Sequence, residues 1–272
     1  MPISYLSPAQ ITGLSTTTIQ GLTTTDIAAL TSSQVGAINT SGIAVLDATQ
    51  LGAISTAAVG GLTTTQIPHF APGVIFNAQQ LTVLNSQQVG ALTTTQVSSF
   101  NTTLIQALSA TQLGSLGAAN LSALSATQMH GLGAAQVAGL STTELSGLTT
   151  TDMGELTTTQ ISALSTTQLG SISATPLSAL STTQIGALTT TQIRGLTTTQ
   201  IGGLTSTAAG SLTATQIGNL TTTQLGSLGT TNLSALSATQ LHGLTATQLG
   251  GLTSTYVSVS YTHLTLPTNR EV

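Results

Sequence analysis

The residues able to do acid–base or metal chemistry are few. The acids are Asp26, Asp47, Glu144, Asp152, Glu155 and Glu271, and the imidazoles are His69, His130, His242 and His263. Glu144 and Asp152 stand eight residues apart, so in a chain that repeats with that spacing their carboxylates could stack, share a proton or hold a cation. The simpler role for each is to occupy a helix start, where negative charge is favourable, and the surrounding residues favour that role. No two histidines fall at helical spacing, which gives a zinc site no support. The serines have no His and Asp partners at any triad-like spacing, and no Gly-rich phosphate loop is present. No catalytic residue, cofactor site or metal site is therefore expected, and the chain reads as a non-enzyme.

Composition narrows the classes further. Of 272 residues, 3% are charged and 2% aromatic, and the formal net charge is -4, so there is no basic face for nucleic acid. Cysteine is absent, which removes disulfides and thiolate chemistry together and leaves the redox compartment open. Hydroxyls recur too often for any run to reach the roughly 18 apolar residues of a membrane-spanning helix. The opening MPISYLSPAQITGL shows neither the basic nor the long apolar region of a secretory signal, so either the chain is cytoplasmic or its true beginning is missing.

The element that must position everything else is an octad. Leu188 to Leu204, LTTTQIRGLTTTQIGGL, states it twice: Leu at position one, Ser or Thr at two, Thr or Ala at three and four, Gln at five, Ile or Leu at six, small residues at seven and eight. About thirty such units follow one another, the pattern of a solenoid whose units cannot bury their apolar faces alone. The organisation read from this count is a lead-in over 1–5, an array over 6–69, a six-residue joint at 70–75 (FAPGVI, with Pro72 and Gly73), a second array over 76–257, and a non-repeat tail over 258–272.

Position two decides the secondary structure. Ser7, Thr23, Asn39, Asp47, Asn101 and Gly117 sample it, and these are N-cap residues, whose side-chain oxygens accept an orphaned N–H of the first turn. Gln, or Asp26, Glu144 or Asp152, follows three residues later and completes a capping box. Pro8 sits where a first helical residue would. The predicted fold is an all-α solenoid of very short helices, one per octad, running from position three to about position one of the next. The Leu and Ile/Val ladder is expected inside, with Thr, Gln and Gly outside. Helices of two turns are unstable alone, so packing must hold them. The alternative is a parallel β-solenoid, favoured by Thr, Ile and Val. Against it, the two large apolar residues five apart fall on opposite faces of a strand, and Pro176 at position five suits a first helical turn.

One feature could carry an activity. Thr190, Thr191, Thr198, Thr199, Thr222 and Thr223 recur in register and would print rows of hydroxyls and methyls along one side. Such ladders resemble those of ice-binding solenoids, the second functional class considered. The same threonines also suffice simply to solvate a first helical turn.

Octads of the form LTTxQ[IVL]xAL resemble those of long, repetitive bacterial proteins predicted to be secreted or on the cell surface, over Leu6 to about Val257. The resemblance implies a spacer, adhesin stalk or filament role in a larger extracellular or surface protein, with self-association or other surface proteins as partners and no catalytic residues to carry over. The start LSPAQI also resembles the LTPEQV helix starts of DNA-reading effector repeats, but the base-reading loop and basic residues are missing. The tail SYTHLTLPTNREV resembles the translated adaptor read-through that ends many metagenome-derived reading frames, which implies an artefact and a fragmentary chain.

Overall fold

Because every octad places a hydroxyl or small polar residue before its first helical turn, the backbone is interrupted and restarted with the period of the sequence. In the computed structural model the described residues are 3–252, and among them are twenty-nine α-helices, two short 3-10 turns and no strand. The β-solenoid alternative is thereby set aside. The predicted tail over 258–272 lies outside the described residues.

Each α-helix has four to six residues, and all but two begin at position three; Gly117–Leu121 and Gly229–Ser234 begin on the position-two glycine itself, so Gly117 is the first helical residue and not the cap. Thr190–Gly195 shows the longer form: Thr189 caps it in extended conformation (φ -70, ψ 158), and Leu196 ends it in extended conformation again (φ -68, ψ 143). Thr198–Gly202 shows the shorter form, ending on Gly203 in a helical conformation (φ -81, ψ -6). Pro176 stands at the third residue of Ala174–Ser178, where a first turn tolerates proline.

The chain divides into two compact units, the first ending at Leu140 and the second starting at Ser141. Both are built alike. The apolar positions one and six face inward: in the second unit Ile193 and Ile201 are fully buried and Leu188 and Leu196 nearly so, and in the first Val97, Ile105, Phe100 and Leu108 do the same. Each such side chain contributes about 1.5–3 kcal/mol on burial, which is what overcomes the cost of nucleating so short a helix.

Within each unit a helix packs on the helix three octads further on. Thr166–Ser171 stacks on Thr190–Gly195, and Thr198–Gly202 on Thr222–Ser227; in the first unit Ala48–Ala53 is the stacking partner of Thr24–Ala28. The small residues at seven and eight permit this approach. A Cβ on Gly202 would lie 2.8 Å from the carbonyl oxygen of Ser227, so a larger residue there forces the stacked backbones apart.

A 3-10 turn at Ile67–His69 leads into the six-residue joint, within which Gly73 stands at φ 85. Its flanking position-one residues are both phenylalanine, and Phe70 and Phe76 meet edge to face with ring centroids 5.4 Å apart. The larger rings fill the volume that a Leu pair would leave beside a shortened unit.

One expectation fails. Gln at position five is inside: Gln80, Gln160, Gln200 and Gln216 are buried, as are most of their equivalents. An amide enters the core because its hydrogen-bonding groups find partners there.

Candidate functional site

Among the described residues the acidic and imidazole side chains do not converge. Among the described residues no group of three or more His, Asp or Glu could hold a metal ion. Glu144 accepts the Ser141 N–H at 2.6 Å, and Asp152 accepts the Thr149 N–H at 2.7 Å and its hydroxyl at 2.8 Å, so each completes the capping box of its own helix. Asp26 does likewise with Thr23, at 3.1 Å to the amide and 2.6 Å to the hydroxyl. Those bonds, the hydroxyl's first and the amide's second, hold its carboxyl below the usual aspartate value of 3.8. Asp47 serves as the N-cap itself, taking the Gln50 N–H at 2.7 Å. The His69 ring nitrogen Nδ1 lies 2.8 Å from the Thr65 carbonyl, while His130 and His242 are exposed in the last turns of their helices. His263 and Glu271 lie outside the described residues. Arg194 lines a shallow groove of the second unit with Asn219, Thr221 and Thr245.

The convergent polar chemistry is the buried glutamine. Gln200 Oε1 accepts the Thr197 N–H at 2.8 Å while the Thr197 hydroxyl accepts the Gln200 N–H at 3.1 Å, a complete capping box. The other end of the same amide faces an earlier turn. Its Nε2 donates to the Leu169 carbonyl at 2.7 Å and the Ile172 carbonyl at 2.6 Å, residues 31 and 28 positions back. Those carbonyls belong to the C-terminal end of Thr166–Ser171, where a helix runs out of its own N–H donors. One side chain therefore closes the N-terminus of its own helix and the C-terminus of a helix one turn earlier.

The seam repeats through both units. Gln192 Nε2 reaches the Ile161 and Leu164 carbonyls at 2.9 and 2.7 Å, and in the first unit Gln136 reaches those of Ile105 and Leu108 at 2.9 and 2.7 Å. Across the joint the partners keep their octad positions although two residues are missing. Gln80 donates to Leu51 and Ile54, now 29 and 26 positions back.

Where position five is not Gln, neighbouring residues adjust. Gly42 has no side-chain amide, and the cap residue Asn39 instead sends its Nδ2 to the Thr12 and Leu14 carbonyls at 2.9 and 3.4 Å. Asn120 and Asn232, one methylene shorter than Gln, each reach the carbonyl 28 positions back, Leu92 at 3.0 Å and Leu204 at 2.8 Å. Both follow a left-handed glycine at position two, Gly117 at φ 76 and Gly229 at φ 73. Pro176 has neither a side-chain amide nor a backbone N–H, and Ser173 consequently makes no side-chain cap bond.

The six threonines predicted as a surface row separate. Thr191, Thr198, Thr199, Thr222 and Thr223 are exposed and Thr190 is half-buried. Thr198 and Thr199 stack with Thr222 and Thr223 on contacting helices, whereas Thr190 and Thr191 belong to the neighbouring stack that continues to Ala214–Gly218. Position three also lies along the seam: a Cβ on Gly251 would sit 3.1 Å from Thr222 Cγ2. Position four is the outward one.

No helix among the described residues is long and apolar enough to cross a membrane. No curated protein matches the chain. Residues 3–40 and 161–198 match the family described as the ALTTAQ repeat. Each compact unit thus contains a stretch similar to that octapeptide-type repeat, and the buried-amide seam described above runs through both stretches.

Proposed function

We propose that this is a non-catalytic structural array, serving as the spacer or stalk of a larger bacterial protein outside the cell or on its surface. The observation that carries the reading is where the polar groups are used. The recurring chemistry of most octads, a cap hydroxyl and one amide, is consumed in joining helix to helix, as Thr197 and Gln200 are. Little remains for a substrate. Similarity to a repeat family supports the same structural role.

The residues left on the surface suit contact rather than chemistry. Tyr5 is 76% exposed, and the outer positions carry threonine, serine and glycine with few charges. Low charge removes the repulsion that keeps copies of a chain apart, so self-association is part of the proposal. Localisation tests the reading: protease treatment of intact producing cells should release peptides of the octads into the medium. Recovery of the chain only from the cytosol would overturn the surface role, and sedimentation as a monomer at high concentration would remove the self-association.

A further inference from the structure

Between Pro176 and Gln248 the amide seam of the second unit lapses twice, and the two lapses lie in line. Each bridging glutamine reaches the helix four octads earlier. Gln240 donates to the Ala209, Gly210 and Leu212 carbonyls at 3.3, 3.0 and 2.5 Å, closing the end of Ser206–Gly210. Followed back by the same step, the next position five is Ala208, and the one before it is Pro176. By their place in the octad, the carbonyls they would address are those of Leu177 and Leu180 for Ala208, and of Leu145 and Leu148 for Pro176. Neither residue has a side-chain donor. In the octads between and after them Gln184, Gln192, Gln200, Gln216, Gln224 and Asn232 all make the bond.

No neighbour restores the missing donors. Beside Gly42 the cap residue Asn39 sends its own amide back, but the cap residues here are Ser173 and Thr205, hydroxyls that make no such bond among the described residues. The position-one carbonyls at these two helix ends belong to buried residues, Leu148 and Leu180, where an unmade bond costs more than a made one gains.

The same two helices are weak in other ways. Ser206–Gly210 carries Ala209 at position six, fully buried where Ile193, Ile201 and Ile217 stand in other octads, so it withholds most of an isoleucine's apolar area from the core. Ala174–Ser178 lacks a side-chain cap bond at Ser173. Its first backbone bond, from the Leu177 N–H to the Ser173 carbonyl, is 3.3 Å, against 3.0 Å from Ile201 to Thr197. Helices of this length have no stability of their own and depend on the turns beside them. In a stacked array, local opening concentrates where the neighbour terms are smallest.

We propose that Ala174–Ser178 and Ser206–Gly210 form a built-in opening point of the second unit, parting from the turn behind them while the octads carrying Gln184, Gln200 and Gln216 stay joined. The device rests on the hydrogen bonding and packing of the fold and is independent of the stalk role. It sets where this stretch of the coil yields first.

Native-state hydrogen exchange of the full chain, well below the unfolding midpoint, reads the opening helix by helix. Corrected for intrinsic rates, the Leu177 and Ala209 amides are expected to exchange about tenfold faster or more than those of Ile193 and Ile201, which hold the same octad position. The double variant Pro176→Gln, Ala208→Gln supplies both missing amides and should bring Leu177 and Ala209 to the rate of Ile193. Thr207→Gln adds an amide at the exposed position four, where the first unit carries Gln79 and Gln87, and should leave the rates unchanged. Equal protection of the four amides in the wild-type chain overturns the proposal, a result that needs no variant to fold. Fast exchange that persists in a double variant shown to be helical by circular dichroism overturns it as well, as does equal slowing by Thr207→Gln.

Discussion

Gln200 Nε2 lies 2.6 Å from the carbonyl oxygen of Ile172, 28 residues earlier, while its Oε1 lies 2.8 Å from the amide nitrogen of Thr197. An amide can serve both because it carries an acceptor and two donors on one planar group. A carboxylate can serve only the first. Gln200→Glu should therefore keep the cap and lose the inter-turn bonds, at a cost of about 1–3 kcal/mol for the buried carbonyls and charge left without donors. The carboxyl introduced there is destabilised when ionised, so its folded-state pKa is raised. The loss should accordingly be largest at neutral pH and shrink as pH falls and the acid regains a proton. Thermal denaturation as a function of pH reads both effects, and a Glu variant as stable as wild type at neutral pH would show that the Nε2 bonds contribute nothing net.

Pro176 offers the reverse experiment. It sits where other octads carry the bridging amide, and the carbonyls in the equivalent partner positions are those of Leu145 and Leu148 in the same unit. Pro176→Gln supplies a backbone N–H for the Ser173 cap and an amide for those carbonyls. Each new bond is worth about 0.5–1.5 kcal/mol, against roughly 0.5–1 kcal/mol from the freer unfolded chain. A net rise in stability of about 1 kcal/mol is expected in denaturant titration, with the Ser173 hydroxyl newly bonded in a structure of the variant.

Two glycines at position two should respond in opposite ways. Gly117 holds φ 76, a conformation costing about 1–2 kcal/mol for a residue with a Cβ, and Gly117→Ala should lose that amount. Gly133 holds φ -69 and ψ 148, the ordinary N-cap conformation, and Gly133→Ser should be neutral or stabilising by a few tenths of a kcal/mol. Equal losses at the two sites in equilibrium unfolding would contradict the assignment.

Asp26 gives the native chain a pH dependence. Its carboxyl is held below 3.8 by the Thr23 hydroxyl and amide. A lowered folded-state pKa means that the contribution is fully present above the unfolded value and disappears as pH falls through the folded one. The Asp26 carboxyl should titrate below 3.8 by nuclear magnetic resonance, with the Thr23 amide resonance moving in step. Asp26→Asn keeps an acceptor for that amide and should remove the step.

Helices and core were legible before the coordinates because their signals are local. The cap set at position two, with Gln10 three residues after Ser7, announces a helix start, and the Leu/Ile ladder marks the buried face. The role of Gln was not legible in the same way, since it depends on which turn lies beside it, and turn closure is set by small backbone angles at each cap. One signal did point to it. A carboxylate completes a capping box and suits the helix N-terminus better than an amide, yet Gln fills most of these positions and only Asp26, Glu144 and Asp152 place a carboxylate there. An excess of Gln over Glu at such a site says that its N–H groups are in use. The six threonines do not form one row, because every third helix stacks and residues eight apart in the chain belong to different stacks.

The shortened joint bears on how such a gene can change. Gln80 finds the carbonyls of Leu51 and Ile54 by their place in the octad, although the intervening chain is two residues shorter than elsewhere. Contacts are thus addressed by phase and not by distance along the polypeptide. Gain or loss of whole repeats by recombination leaves every remaining address valid, whereas a change of one residue must be absorbed by a special segment such as that between Phe70 and Phe76. Alleles of this gene should accordingly differ in multiples of twenty-four base pairs far more often than in any other increment.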